Sequence, residues 1–108
     1  MWELHPDGLV TIHLDPRLSR RERRCVLAHE LVHDERQIGY GPWTPAALIE
    51  IEERCVWAET VDRLVPPSEL AGLIDQGMPL MLWEICDHFD IDHQTAKRAV
   101  ARHRKQTS

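Results

Sequence analysis

The run His29-Glu30-Leu31-Val32-His33 places two histidines four residues apart in a stretch with the pattern of a helix. Four residues is slightly more than one helical turn, so both imidazoles project from one face and can share a metal ion. Glu30 is turned about a quarter of the way round the helix from His29, which suits a base acting on metal-activated water. The spacing predicts a zinc site; the alternative is an exposed helix on which two histidines have no shared role.

Length and composition indicate one globular domain. The chain has 108 residues, of which 43% are hydrophobic and 29% charged, enough for one modest core. We expect a single domain over 1–108, with a zinc-binding core over 1–66 and a helical C-terminal region over 67–108. The net charge of −5 argues against wholesale nucleic-acid binding but allows a local basic patch.

The sequence predicts a cytoplasmic location. No apolar run approaches the ~20 residues of a membrane span, and the first residues lack the basic start and apolar stretch of a signal peptide. We therefore expect no membrane partner. Three widely spaced cysteines without a CxxC pattern indicate reduced, mostly buried thiols: Cys25, Cys55 and Cys86.

The N-terminal part predicts a small β element. Leu9–Leu14 follows the turn pair Asp7-Gly8 and alternates around β-branched residues, which is typical of a strand. Trp2–Leu4 is short but can pair with it as a hairpin. Since the rest of the chain has helical patterns, we expect an α+β, mostly helical fold.

The helix that carries the two histidines begins with a capping box. Ser19 and Glu22 stand three residues apart, so each side chain can bond the other's backbone N–H. We expect this helix over Arg20–Gln37, with Gly39 just past its end. Its first turns carry four arginines, either as a solvated face or as a docking patch for an acidic partner: Arg20, Arg21, Arg23 and Arg24.

A second helix is expected to face the first. Thr44 caps it, Pro45 takes its first position, and it ends at about Leu64, before Pro66-Pro67. A site with two histidines needs a third protein ligand if zinc is to keep one open position. The glutamates available on this helix are Glu50, Glu52, Glu53 and Glu59.

Helical periodicity selects Glu53. At 100° per residue it falls in the middle of a mainly apolar face, whereas Glu50 lies towards the edge and Glu52 and Glu59 point further away. A carboxylate on a core-facing stripe is costly unless its charge is compensated, as a metal ion would do. The alternative is a salt bridge to an arginine of the first helix. The face consists of Ala46, Ile49, Val56, Trp57, Thr60, Val61 and Leu64.

Three short helices are predicted after the second one. Ser68 caps the first, which Gly77 terminates. The others span about Leu80–His88 and His93–Lys105, with Asp92 capping the last. These last two resemble a helix-turn-helix in the spacing of their apolar residues.

Charge is split between these C-terminal segments. Residues 67–92 carry six acids and no Lys or Arg, and residues 93–108 carry five bases and no acid. The basic helix therefore either packs against the acidic helices before it, the interpretation we favour, or contacts phosphate or an acidic partner. Direct DNA binding would use Lys97, Arg98 and Arg102, but the acids beside the turn would repel DNA.

Three stretches resemble the ImmA/IrrE family of zinc metallopeptidases, together covering roughly residues 8–66. The first follows the predicted strand, and the second contains the two histidines. When the third is anchored on Pro66, the family's zinc-binding glutamate falls on Glu53. Val56-Trp57 differs from the family's small-polar pair. The stretches are Leu14-Asp15-Pro16-Arg17-Leu18-Ser19, Cys25–His33 and Glu53–Pro66.

The resemblance implies a zinc-dependent endopeptidase of bacteria, phages or mobile elements, with Zn²⁺ as its cofactor. Such enzymes cleave a helix-turn-helix transcriptional repressor and so derepress phage, mobile-element or stress genes. The expected ligands are His29, His33 and Glu53, with the fourth position left to water. Glu30 is the expected catalytic base.

The sequence leaves further roles and rival functions open. Tyr40 and His88 are secondary candidates for stabilising the oxyanion, and an outer-shell acid is expected among Asp34, Glu35 and Asp62. The alternative function is a non-catalytic, zinc-stabilised regulator that binds a repressor or DNA through its C-terminal helices. Another is an inactive enzyme that binds a repressor without cutting it.

Overall fold

The residues that the structure describes form five helices and two very short strands. This computed structural model describes residues 2–4, 10–36, 39, 41–77 and 80–107. The helices are α1 (Arg20–Arg36), α2 (Ala46–Leu64), α3 (Pro67–Ile74), α4 (Leu82–Phe89) and α5 (His93–Thr107), and the strands are β1 (Trp2–Leu4) and β2 (Val10–Ile12).

The predicted α+β class is wrong, because the fold is all-helical. β1 and β2 pair antiparallel, with Leu4 opposite Val10, but strands of three residues provide no sheet on which helices can pack. Among the residues whose burial is described, every core residue lies on a helix or in a connection between helices. The alternation over Leu9–Leu14 thus predicts local pairing but not a sheet layer. The turn pair Asp7-Gly8 lies outside the described residues.

One hydrophobic cluster contains residues from all five described helices. Cys25 of α1, Leu64 of α2, Leu70 of α3, Phe89 of α4 and Ala96 of α5 all belong to it. α5 packs against α2, α3 and α4, whereas α1 packs mainly against α2. The pairing of α1 with α2 is therefore the contact that positions the two histidines.

The three cysteines are free thiols in the structure. Cys25 and Cys86 are buried and Cys55 is exposed, so the prediction of mostly buried thiols is confirmed. Burial raises the pKa of the Cys25 and Cys86 thiols above the ordinary value, which keeps them protonated and unreactive at neutral pH.

Two helix starts are capped as predicted. The backbone N–H of Glu22 donates to Ser19 Oγ at 3.1 Å, and that of Ser19 donates to Glu22 Oε1 at 3.0 Å. This confirms the capping box of α1. The backbone N–H of Thr95 donates to Asp92 Oδ1 at 2.8 Å, so Asp92 caps α5.

Two other predicted caps are wrong. Thr44 Oγ1 accepts a hydrogen bond from the backbone N–H of Gly41 at 2.8 Å and closes the preceding turn instead of capping α2. α3 begins at Pro67, which leaves Ser68 within its first turn. Proline stands at both helix starts, where its fixed φ suits the first turn and its missing N–H needs no cap. Gly77 follows α3 with a φ of 76°, as its predicted role as terminator requires.

The arginine-rich start of α1 binds the turn between α4 and α5. Arg20 and Arg21 both pair with the Asp90 carboxylate, and Arg21 Nη1 lies 2.9 Å from Asp87 Oδ1. Arg24 Nη1 donates to the backbone carbonyl of Asp90 at 2.8 Å. These three arginines are therefore neither a bare solvated face nor a patch reserved for another protein, because their acidic partners belong to the same chain.

Replacing Ile91 with alanine tests the packing of the connection between α4 and α5. Ile91 has no exposed surface, so the change leaves a cavity and should lower the free energy of unfolding by about 2–5 kcal/mol. Urea denaturation followed by tryptophan fluorescence measures the loss. Ile51→Ala is the control, since Ile51 is 51% exposed and should change the value by less than ~0.5 kcal/mol. Equal losses in both variants would contradict this core.

Asp90→Asn tests the arginine cluster through pH. The Arg20 guanidinium, with Arg21 and Arg24 nearby, holds the pKa of Asp90 below its usual 3.8. Its contribution to stability is therefore complete above the ordinary carboxyl pKa and is lost as pH falls through the lowered, folded-state pKa. Asparagine tolerates the left-handed backbone of Asp90, φ 57°, so the substitution removes mainly the charge.

We expect the urea midpoint of the unchanged protein to fall more between pH 7 and pH 3 than that of Asp90→Asn. The matched control is Asp75→Asn, at an exposed carboxylate that forms no ion pair within the described part of the chain. Identical pH profiles for Asp90→Asn and the unchanged protein would show that the arginine cluster adds nothing measurable.

Candidate metal centre

His29 and His33 lie one turn apart on α1 and both face α2. Their side chains are 12% and 15% exposed, so most of each ring is shielded from water. The two rings meet edge to face, with centroids 4.6 Å apart and planes at 82°. The prediction that four-residue spacing puts both imidazoles on one face is confirmed.

Glu53 of α2 contacts each histidine with a different carboxylate oxygen. Its Oε2 lies 3.2 Å from His29 Nε2, and its Oε1 lies 2.7 Å from His33 Nε2. Ligand atoms of the three residues all lie within 4.8 Å of one another. A tetrahedral zinc with bonds of about 2.0–2.1 Å holds its ligand atoms roughly 3.3 Å apart. Two imidazole nitrogens and a carboxylate therefore form a candidate metal site of the right donor type and size.

Glu30 lies beside this cluster rather than between its ligands. Its Oε1 is 3.5 Å from Nδ1 of His29, which is the ring nitrogen that does not face Glu53. Of the carboxylates in the described chain, Glu30 and Glu53 lie within 4.0 Å of a ring nitrogen of either histidine. Glu30 is thus placed to orient His29 or, after rotation about its own side-chain bonds, to reach a group bound at the cluster.

The buried glutamate of α2 is Glu52 rather than Glu53. The Glu52 side chain is 10% exposed, against 37% for Glu53, and Arg36 of α1 binds both its oxygens, with Nη2 2.9 Å from Oε2. Glu52 was predicted to point away from the mainly apolar face of α2, but the end of α1 lies beside it and its side chain is buried. The salt bridge considered for Glu53 forms at this neighbour. Hydrogen bonding to Arg36 lowers the pKa of Glu52 below the ordinary value, which keeps it ionised.

A set of stacked side chains that sequence reasoning missed adjoins the cluster. The Trp57 ring lies against His29, with centroids 4.2 Å apart and planes at 31°. The guanidinium carbon of Arg98 lies 4.1 Å from the centroid of the same tryptophan, within reach of a cation–π interaction. The available signal was the four-residue spacing of Glu53 and Trp57, which puts both on one helix face. Nothing local in the sequence placed α5 against them.

The secondary candidate that the structure describes, His88, is not part of the cluster. His88 is exposed on α4, where its ring meets that of Phe89 edge to face with centroids 4.7 Å apart. Tyr40 lies outside the described residues. His88 therefore does not supply a hydrogen bond to an oxyanion at the cluster, and no other side chain in the described part of the chain is assigned that role.

The acids predicted for an outer shell are engaged elsewhere or lie apart from the histidines. Glu35 pairs with Arg63, and Asp62 pairs with Arg102 at 2.7 Å. Asp34 does not come within 4.0 Å of a histidine ring nitrogen in the structure as described. The acid that does contact a histidine away from Glu53 is Glu30 itself.

Comparison with known proteins adds no relative. No family model, no curated protein and no solved structure matches the chain. None of the described helices combines the length and the apolarity needed to cross a membrane. The resemblance to ImmA/IrrE metallopeptidases therefore stays a hypothesis that rests on the residues quoted for it.

Two neighbouring glutamates allow metal binding to be separated from folding. We expect Glu53→Ala to weaken zinc binding by more than the roughly 10–100-fold typical of losing an outer-shell partner, because it removes a ligand. Glu52→Ala should instead lower the urea midpoint, since it removes the carboxylate that accepts two hydrogen bonds from Arg36, and should change zinc affinity little. Competition with a chromophoric chelator measures the affinity, and metal-free urea denaturation measures the stability.

Glu50→Ala, at an exposed position of the same helix, is the control for both measurements. Equal weakening of zinc binding by all three substitutions would contradict the assignment of Glu53 as the ligand.

Proposed function

We propose that the protein is a zinc-dependent endopeptidase. The observation that supports this best is the arrangement of His29 and His33, one turn apart on α1, around the two oxygens of Glu53, with Glu30 next to the first histidine. Two histidines and a carboxylate leave a fourth position of a tetrahedral zinc open, as in catalytic rather than structural sites.

The three ligand residues would hold the ion between α1 and α2. Zinc bound there would supply Lewis acidity, which lowers the pKa of water and polarises a peptide carbonyl. The side chains of His29 and His33 are largely shielded, whereas Glu53 is partly open to solvent. A substrate would therefore approach from the side of α2 on which Glu53 is exposed.

Glu30 is the proposed general base. A carboxylate in this position can accept a proton from the attacking water and later return it to the leaving amine. Its contact with His29 Nδ1 also allows it to fix the orientation of that ring, as acidic outer-shell partners of metal-binding histidines do. The two roles predict different losses when the charge of Glu30 is removed.

The proposed substrate is a helix-turn-helix repressor. This part of the proposal rests on the resemblance carried by Cys25–His33 and Glu53–Pro66. Direct DNA binding is disfavoured by a contact within the chain, because the Asp62 carboxylate neutralises Arg102 at 2.7 Å. A positive charge held in this way is less available to phosphates.

Glu30→Gln tests the base. The isosteric amide keeps the shape of the side chain but cannot take up the proton, so we expect peptide hydrolysis to fall by about 10²–10⁴-fold while zinc affinity changes little. The assay incubates the zinc-loaded protein with each helix-turn-helix protein that sequencing of the adjoining genes identifies, and resolves the fragments by mass spectrometry. A chelator should abolish the fragments, and added zinc should restore them.

Three results would lead elsewhere. Loss of zinc binding in Glu30→Gln would assign Glu30 to positioning His29. Full activity in that variant would exclude it as the base. A repressor that binds but stays intact in the presence of zinc would overturn the peptidase proposal in favour of a non-catalytic regulator.

A further inference from the structure

A groove between α2 and α5 opens directly beside the candidate metal centre. Its volume is about 400 Å³, within the range of ligand-binding clefts. Glu53 lines it together with the next turns of α2, and Arg98 to Lys105 line it from α5. Because Glu53 also contacts both histidines, the groove and the candidate metal centre share this residue.

The lining of the groove combines apolar and cationic side chains. Trp57, Ala58 and Val61 of α2 and Ala101 of α5 are its apolar lining. The other lining residues are four cations and one carboxylate, that of Glu53, which contacts the histidines. The cationic residues are Arg54, Arg98, Arg102 and Lys105.

Two of these cations have no carboxylate partner among the described residues. Arg102 is held by Asp62 at 2.7 Å, and Lys105 has an interaction of its own. Arg54 is exposed and forms no ion pair there. Arg98 lies over Trp57, and its buried Nε has no hydrogen-bond acceptor. A buried N–H without an acceptor is uncommon in folded proteins and calls for an explanation.

We propose that this groove is a subsite for an acidic side chain of the peptide substrate. The apolar part of a Glu or Asp side chain would lie against Ala58 and Ala101, and its carboxylate would meet Arg54 and Arg98. The inference deepens the proposed function and rests on it, since it gives the substrate an acidic residue at a fixed distance from the cleaved bond. One carboxylate matches two unpaired arginines, whereas a nucleic acid would present a row of phosphates to a chain whose net charge is −5.

A random peptide mixture tests the subsite in two ways. Zinc-loaded protein is incubated with the mixture, and the cleaved products are sequenced by mass spectrometry. The same mixture is passed over immobilised, zinc-loaded Glu30→Gln protein, and the retained peptides are sequenced. We expect Asp and Glu to be enriched at least about fivefold, at one position relative to the cleaved bond and among the retained peptides.

Arg54→Glu and Lys97→Glu form a matched pair of charge reversals. Arg54 lines the groove, and Lys97 is exposed on α5 outside it. Arg54→Glu should abolish the acidic preference or reverse it towards Lys and Arg, whereas Lys97→Glu should retain it. If both reversals change the acidic preference equally, the preference arises from the net charge of the protein rather than from the groove, and the subsite is overturned.

The remaining outcomes separate the two proposals. Cleavage without any acidic preference would overturn the subsite and leave the peptidase standing. Retention of acidic peptides without cleavage would support the subsite and overturn the hydrolysis. If neither experiment enriches acidic residues, or if a short single-stranded DNA binds more tightly than any peptide and loses that binding in Arg54→Glu, the subsite is excluded.

Discussion

The antiparallel contact between α1 and α2 is the constraint on which the rest of the structure depends. His29 lies against Trp57, His33 contacts Glu53, and the end of α1 meets Glu52 through Arg36. These contacts run in opposite directions along the two helices, so turning or sliding either helix would break several of them together. The charged pair at the end of α1 therefore helps to keep the histidines facing the carboxylate, even though it takes no part in the site.

The other end of α1 links the same helix to the C-terminal half of the chain. Arg20, Arg21 and Arg24 bind Asp90 and its surroundings, so acids that would repel DNA serve as anchors for α1. Arg102 joins α5 to α2 through Asp62. Ion pairs within the chain thus use part of the charge asymmetry of the sequence, and two arginines without a carboxylate partner among the described residues, Arg54 and Arg98, line the groove next to Glu53.

What could be predicted from the sequence depended on how far apart the interacting residues lie. Capping by Ser19 and Asp92 was predictable because donor and acceptor are three residues apart. The face shared by the histidines was predictable for the same reason. Helical periodicity also pointed to Glu53, the carboxylate that contacts both histidines. Its side chain is more exposed than a position in the middle of the apolar face led us to expect.

The failures have two sources, which are partners supplied by tertiary structure and competition between local hydrogen bonds. Arg36 lies 16 residues from Glu52, and a helical projection records the direction of a side chain but not what the neighbouring helix places opposite it. The Thr44 hydroxyl accepts a hydrogen bond from the backbone N–H of Gly41 instead of from an N–H of α2. The general preference of threonine for capping positions does not decide between these two local bonds. The prediction of a mixed α+β fold failed because the core is formed by packing between helices. The alternating pattern of one short strand does not indicate how the helices pack.

Trp57 touches both His29, a candidate metal ligand, and Arg98 of the groove, and this shared ring has a thermodynamic consequence. A ligand that fixes Arg98 would also fix the indole, and so reduce the freedom of the imidazole that the metal needs. By reciprocity, any gain in metal affinity that such a ligand produces must equal the gain in ligand affinity that the metal produces. Binding in the groove and binding at the metal centre would then be linked equilibria. The affinity measured at either site would depend on whether the other site is occupied.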